Sequence, residues 1–220
     1  MIPPTNEFQP FPKIARLSRE IVVSEKIDGT NAQVVIAPTA PGPQLSHAIY
    51  SNPEFTIYAG SRNRWITPTA DNYGFAAWVR DNGTELLKLG PGRHFGEWWG
   101  HGIQRGYGEQ HKHFSLFNTN RWTEQTSPTC CRVVPVLYQG EFNTNIVEGL
   151  VLQLRANGSV AAPGFLDPEG VVVFHSASGQ LFKKTVKDDE KRKSESTVLG
   201  VDDGTKCHQA MVEKWIKTGV

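Results

Sequence analysis

The chain has 220 residues, 38% of them apolar and 20% charged, which suits a globular protein and excludes a disordered one. Its formal net charge of +1 says nothing of partners by itself, so a nucleic-acid protein of this charge has to concentrate its basic residues locally. No apolar run approaches the ~20 residues that span a bilayer, and Met1 to Phe11 has no signal-peptide core.

The expectation is a soluble, cytoplasmic protein with no membrane partner. Twenty-one glycines, fourteen prolines and 10% aromatic residues favour short strands and many turns over a helical bundle. Of three cysteines, Cys130 and Cys131 are adjacent and Cys207 is distant, which gives neither a disulfide framework nor a CxxC zinc spacing.

Residues 1 to 18 carry four prolines and read as an irregular lead-in. Ile21 to Asp28 reads as a strand and Ala32 to Ile36 as its hairpin partner, with Asp28-Gly29 in the turn. A Pro-rich loop follows (Ala37 to Ser46), then a strand at Phe55 to Gly60. Asp71 to Arg80 has helical spacing, with Asp71 as a cap. Arg93 to Trp98 is a buried strand running into glycine-rich "GHGIQRGYG". Phe114 to Phe117 and Val133 to Leu137 are short strands. Asn145 to Arg155 carries Ile146, Val147, Leu150, Val151 and Leu154 on one helical stripe, closed by Asn157-Gly158. Glu169 to His175 and Gly179 to Val186 are strands joined by "SASG". The run "DDEKRKSES" and a helix around Gln209 to Lys217 end the chain.

The chemistry concentrates in four stretches. "EKIDGTN" places Lys26 and Asp28 at i and i+2, so on a strand both point into one cleft. Two readings fit: a solvent-facing lysine at a hairpin, or a nucleophilic amine, which attacks only when deprotonated. "GSRNRWI" offers Arg62 and Arg64 to phosphate oxygens or to solvent. "FGEWWGHGIQRGYG" sets Glu97 at the end of an apolar strand, where a carboxylate needs a ribose hydroxyl or an ion-pair partner. "EGVVVFHSASGQLFKKTVK" joins Glu169 to Lys183 and Lys184, which read as an orienting carboxylate with phosphate-binding lysines, or as an ordinary hairpin.

Taken in order, Lys26-Ile27-Asp28-Gly29, Ser61-Arg62, Gly96-Glu97-Trp98, Glu169-Gly170-Val171 and the Lys183 cluster resemble the covalent nucleotidyltransferases, which include ATP-dependent DNA and RNA ligases and mRNA capping enzymes. "EKIDGTN" and "GEWWGHGIQRGYG" are most similar to the RNA ligase 2-like branch, and the motifs cover roughly three quarters of the chain. The resemblance implies an α/β (α+β) adenylation domain of antiparallel sheets flanked by helices. It implies one domain over 1–220, with its core at about 20–190, a short helical tail and no OB-fold appendage.

It also implies roles. Lys26 attacks the α-phosphorus of ATP to form lysyl-AMP, with Glu169 and Lys183 as the other catalytic residues. The nucleotide is held by Glu25 through its backbone, by Asp28, Gly29, Asn31, Arg62 and Glu97, by Phe117 stacked on adenine (Phe114 as the fallback), and by Lys184. Mg²⁺ or Mn²⁺ is expected with ATP, bound mainly by phosphates and water, and no protein ligand is assigned to it. A second Glu-Gly at Glu148 competes with Glu169 but lies on the helical stripe. The usual Lys-x-Lys is replaced by Lys183-Lys184, and strand alternation puts these two on opposite faces.

The expected function is ATP-dependent sealing of RNA ends or nicks, of a phage-like or bacterial kind, by a minimal catalytic core or by one that borrows substrate binding from an accessory protein. Rival readings are a DNA ligase or GTP-using guanylyltransferase, and a non-catalytic nucleotide- or RNA-binding module.

Overall fold

The computed structural model describes residue 8, residues 10–42 and residues 46–187. A compact unit runs from Met1 to Lys187, and a second unit, Asp188–Val220, lies outside the described residues, as do the expected charge run and terminal helix.

Two mixed α/β layers make the fold, each a sheet with a helix on one face. The smaller sheet is antiparallel. Its strands β1 (Glu20–Lys26), β9 (Val136–Glu141), β10 (Gly170–His175) and β11 (Gln180–Thr185) lie in the order β11-β10-β1-β9. Ile21 and Val23 are buried in alternation with the less covered Glu20, Val22 and Ser24, and face α3 (Thr144–Asn157). The helix answers with Val147, Val151 and Leu154, the predicted stripe, each contributing about 1.5–3 kcal/mol on burial. Its start is capped by the Asn143 side chain, which accepts from Asn145 N, and Gly158 closes its end at φ 87°.

The larger sheet contains β2 (Thr30–Pro38), β3 (Ala48–Ser51), β4 (Phe55–Ser61), β6 (Gly92–Gly100), β7 (Lys112–Leu116) and β8 (Cys131–Val133) in the order β3-β4-β2-β6-β7-β8. The short β5 (Trp65–Ile66) pairs with β4, and only the β7–β8 pair is parallel. Ala32, Val34, Ile36, Trp98, Phe114 and Leu116 form its buried face with α1 (Phe75–Asp81). The α1 helix starts later than Asp71, yet Asp71 still caps it. The Asp71 carboxylate accepts from Ala76 N at 2.8 Å and Ala77 N at 3.0 Å.

One expectation is overturned. β1 and β2 are not a hairpin: β1 pairs with β9 and β10, and β2 pairs with β4 and β6. Ile27, Asp28 and Gly29 form a step between sheets. An Asp-Gly dipeptide signals a tight change of direction, and here that change leads out of the sheet. Among the described residues no helix is long and apolar enough to cross a membrane.

Glu25, beside the candidate nucleophile, points to the α3 side and is 1% exposed. Its carboxylate accepts from Ser159 Oγ at 2.6 Å and from Val160 N and Ala161 N at 2.8 Å each. It ties β1 to the segment after α3, and only its backbone remains to serve a nucleotide. Glu25→Ala strands those three donors, so urea unfolding is expected to show a loss of about 2–4 kcal/mol. A change below about 1 kcal/mol would refute the tether.

Candidate active site

The last residue of β1, Lys26, is paired across the sheet with Gly170, the first residue of β10. That register brings Glu169, 143 positions away, to the amine: Lys26 Nζ donates to Glu169 Oε2 at 2.7 Å, both side chains partly covered. Gly170 has φ 152°, and a Cβ there would lie 2.2 Å from Lys184 O, so this register needs glycine. The competing Glu148 is on α3, with its Oε1 3.7 Å from Lys184 Nζ.

Gly29 is required for closeness rather than for turn geometry. A Cβ on it would lie 2.5 Å from Trp98 O and 2.7 Å from Trp99 Cβ. That approach presses the step onto β6, where Gly29 N donates to Glu97 Oε1 at 3.1 Å. Asn31 is the direct cross-strand neighbour of Glu97. The two share a face turned away from the α1 core, as the alternation of buried Ala32 and Trp98 requires.

Asp28 is held from the glycine-rich loop. Arg105 Nε donates to Asp28 Oδ2 at 2.8 Å, Arg105 Nη1 donates to Asp167 O at 2.8 Å, and Asp28 N donates to the Tyr107 hydroxyl at 2.8 Å. Burial pushes the Tyr107 phenol up, so it stays neutral. Arg105 and Tyr107 were not singled out from the sequence. The signal lay in the crowded glycines of "GHGIQRGYG", a loop folded tightly enough to hold Gln104 and Tyr107 at positive φ.

The other candidates divide. Lys183 lies opposite Val172, which lies opposite Ser24, so it shares a face with Lys26. Lys184 lies opposite Val171 on the α3 face and is not brought to Lys26. Phe117, just past β7, is 39% exposed and donates its N–H to Phe95 O at 3.0 Å, on the face of Glu97. The fallback Phe114 is fully buried against Phe75, Trp78 and Trp98 and offers no ring to a ligand. Arg62 is exposed past the end of β4, whereas Arg64 donates to Ala70 O at 2.8 Å and to Asp71 O at 3.3 Å, closing its own loop.

Glu97 is the perturbed group. Burial pushes its carboxyl up to about 7, with the charges of Glu169 and Asp28 adding; Lys26 and the Gly29 N–H oppose. A carboxyl pushed up toward neutrality, with the Lys26 amine, Glu169 and Asp28 all acting on it, makes this cleft the candidate site.

The RNA ligase family model matches residues 19–216. The chain belongs to the RNA ligase family. No curated protein matches it significantly. Among solved structures it is similar to an RNA ligase of Naegleria gruberi with PPi, at TM-score 0.52 and 20% identity over 81% of this chain and 52% of that one. A mutant of that ligase with ATP and Mn gives 0.51 and 20%, over 76% and 49%. Another mutant with AMP and Mn gives 0.52 and 19%, over 80% and 53%. These likenesses show a shared α+β fold of antiparallel sheets, and the chain spans about half the length of the ligases it matches.

In this RNA ligase family member, no three His, Cys, Asp or Glu side chains are grouped to hold a metal among the described residues. The described residues therefore offer no protein-only metal cage.

The Glu97 carboxyl binds its proton more tightly in the folded chain than at its ordinary value of 4.5. Its stabilising contribution is complete below about pH 4.5 and is lost as pH rises through about 7. Glu97→Gln keeps an acceptor for Gly29 N and removes the charge. Urea melts are expected to show it more stable than wild type by roughly 1–3 kcal/mol at pH 8, with the gap closing at pH 5. A gap independent of pH would refute this.

Proposed function

We propose that the chain is the adenylation domain of an ATP-dependent RNA ligase that acts through lysyl-AMP and joins 5′-phosphate to 3′-hydroxyl ends. The single observation that carries the reading is the Lys26 amine, 2.7 Å from Glu169 at the end of a strand, beside the step that binds Glu97. ATP enters with Mg²⁺ or Mn²⁺ as part of the substrate, as the ATP- and Mn-containing Naegleria ligase structures support.

The Lys26 nitrogen attacks the α-phosphorus, a P–N bond forms, and the bond to the pyrophosphate oxygen breaks. The amine's proton leaves with Glu169 Oε2 as the base in hydrogen-bonding reach. Charge that builds on the phosphate oxygens is met by Lys183, which shares the Lys26 face, and by Arg62. Glu97 and Asn31 receive the ribose, and Phe117 stacks on adenine. AMP then passes to a 5′-phosphate, and a 3′-hydroxyl displaces it. Lys184 has no part in this scheme, since it faces α3.

Mass spectrometry after incubation with ATP and Mg²⁺ is expected to show one added AMP that is released by acid and absent in Lys26→Ala. Glu169→Gln is expected to slow adduct formation by roughly 10²–10⁴-fold. An adduct from GTP and none from ATP would overturn the ligase reading, and so would an adduct on Lys26→Ala.

A further inference from the structure

The face that carries Glu97 and Asn31 continues away from Lys26 in two more cross-strand rows. The first runs from Phe117, just past β7, through Phe95, Gln33, Gly60 and Trp65 across β6, β2, β4 and β5. The second contains Arg93, Val35 and Tyr58. Neither row carries a carboxylate. The aromatic side chains on the first are exposed: Phe95 to 47% and Trp65 to 39%.

This patch is ordered by its own contacts. Trp65 stacks on His47 at 5.2 Å with 14° between the planes and leans on Tyr58 at 5.7 Å. The Arg93 guanidinium lies over the Trp65 ring at 5.7 Å and donates to Gln33 Oε1, while Gln33 Nε2 donates to Ser61 O. Gly60 makes room, because a Cβ there would run into the Gln33 side chain at 2.8 Å. The indole and the guanidinium are thus fixed before any ligand arrives, about 14 Å along the row from Phe95 by strand spacing.

We infer that this row is a docking platform for the unpaired nucleotides of an RNA strand next to the end being sealed, with bases stacked on Trp65 and Phe95 and a phosphate held by Arg93. Exposed rings of this kind take the face of a base, which a paired duplex keeps stacked inside itself, and a cation among them takes the backbone. The row abuts the Glu97 row, so a strand lying on it leads to Lys26. The inference rests on the ligase reading and narrows its substrate to single-stranded ends over nicks in duplex.

Anisotropy titrations of the purified chain with a 5′-phosphorylated single-stranded RNA, and with the same sequence in a blunt duplex, test it. Wild type is expected to bind the single strand more tightly. Trp65→Ala is expected to weaken that binding roughly 5- to 150-fold, the range of one lost stacking contact. Trp65→Phe should retain most of it, and Arg93→Gln should lower the salt slope by about one phosphate. Lysyl-AMP formation is expected to be unchanged in all three, which separates this platform from the nucleotide site. The inference is overturned if Trp65→Ala binds single strands like wild type, or if it loses duplex binding equally. Trp65-dependent RNA binding in a wild-type chain that forms no lysyl-AMP would support the platform and remove the ligase reading instead.

Discussion

Between Lys26 and Thr30 the chain has only Ile27, Asp28 and Gly29 in which to leave one sheet and enter the other. So short a step leaves no slack. It must lie against β6 so closely that a single methyl group on Gly29 would overlap the Trp98 carbonyl. The remaining contacts follow from that closeness. Gly29 N reaches Glu97, Asp28 is turned to Arg105 and Tyr107, and Lys26 is left at the strand end facing Glu169. The two sheets are thereby joined at the point where the Lys26 amine sits, so the amine's position is set by backbone packing rather than by a flexible loop.

The step also explains what could be read from the sequence. The identity of the strands was legible wherever one face is buried: Ile21 and Val23 alternate in β1, and the stripe of α3 recurs at helical spacing. Lys26, Glu97 and Glu169 stood out as candidates through the order of the motifs that resemble the nucleotidyltransferases, while each segment alone also fitted an ordinary hairpin or ion pair. Strand partners were not legible. "KIDGTN" satisfies the local rules for a hairpin turn, and what decides against one is pairing with β9 and β10, more than a hundred residues away. The opposite faces of Lys183 and Lys184 did follow from alternation, but that Lys184 meets Glu148 depends on where α3 packs. Arg105 and Tyr107 escaped because a loop has no period from which side-chain direction can be inferred.

Electrostatically the site is crowded with one sign of charge. Glu169 and Asp28 both act on Glu97 beside the Lys26 amine, with Arg105 engaged by Asp28 and Asp167. Burial adds to this for Glu97, since a covered carboxylate loses hydration without gaining a full ion pair. Such an arrangement is unfavourable for the empty protein and useful to a ligand that supplies hydroxyl donors and brings divalent cations with its phosphates.

The same sheet register would order the two proposed ligands along one face. Successive rows on β2 and β6 are separated by one side-chain repeat, about 6–7 Å. Glu97 with Asn31 therefore sits one repeat from Phe95 with Gln33, and two from Arg93 with Val35. A nucleotide placed by the first row and a strand placed by the next two cannot drift relative to each other unless β6 itself shifts. A shift of one residue in β6 would turn Glu97 into the α1 core and Trp98 out of it, a cost no local rearrangement offsets. The hydrophobic core on one side of the larger sheet is thus what keeps the polar side in register.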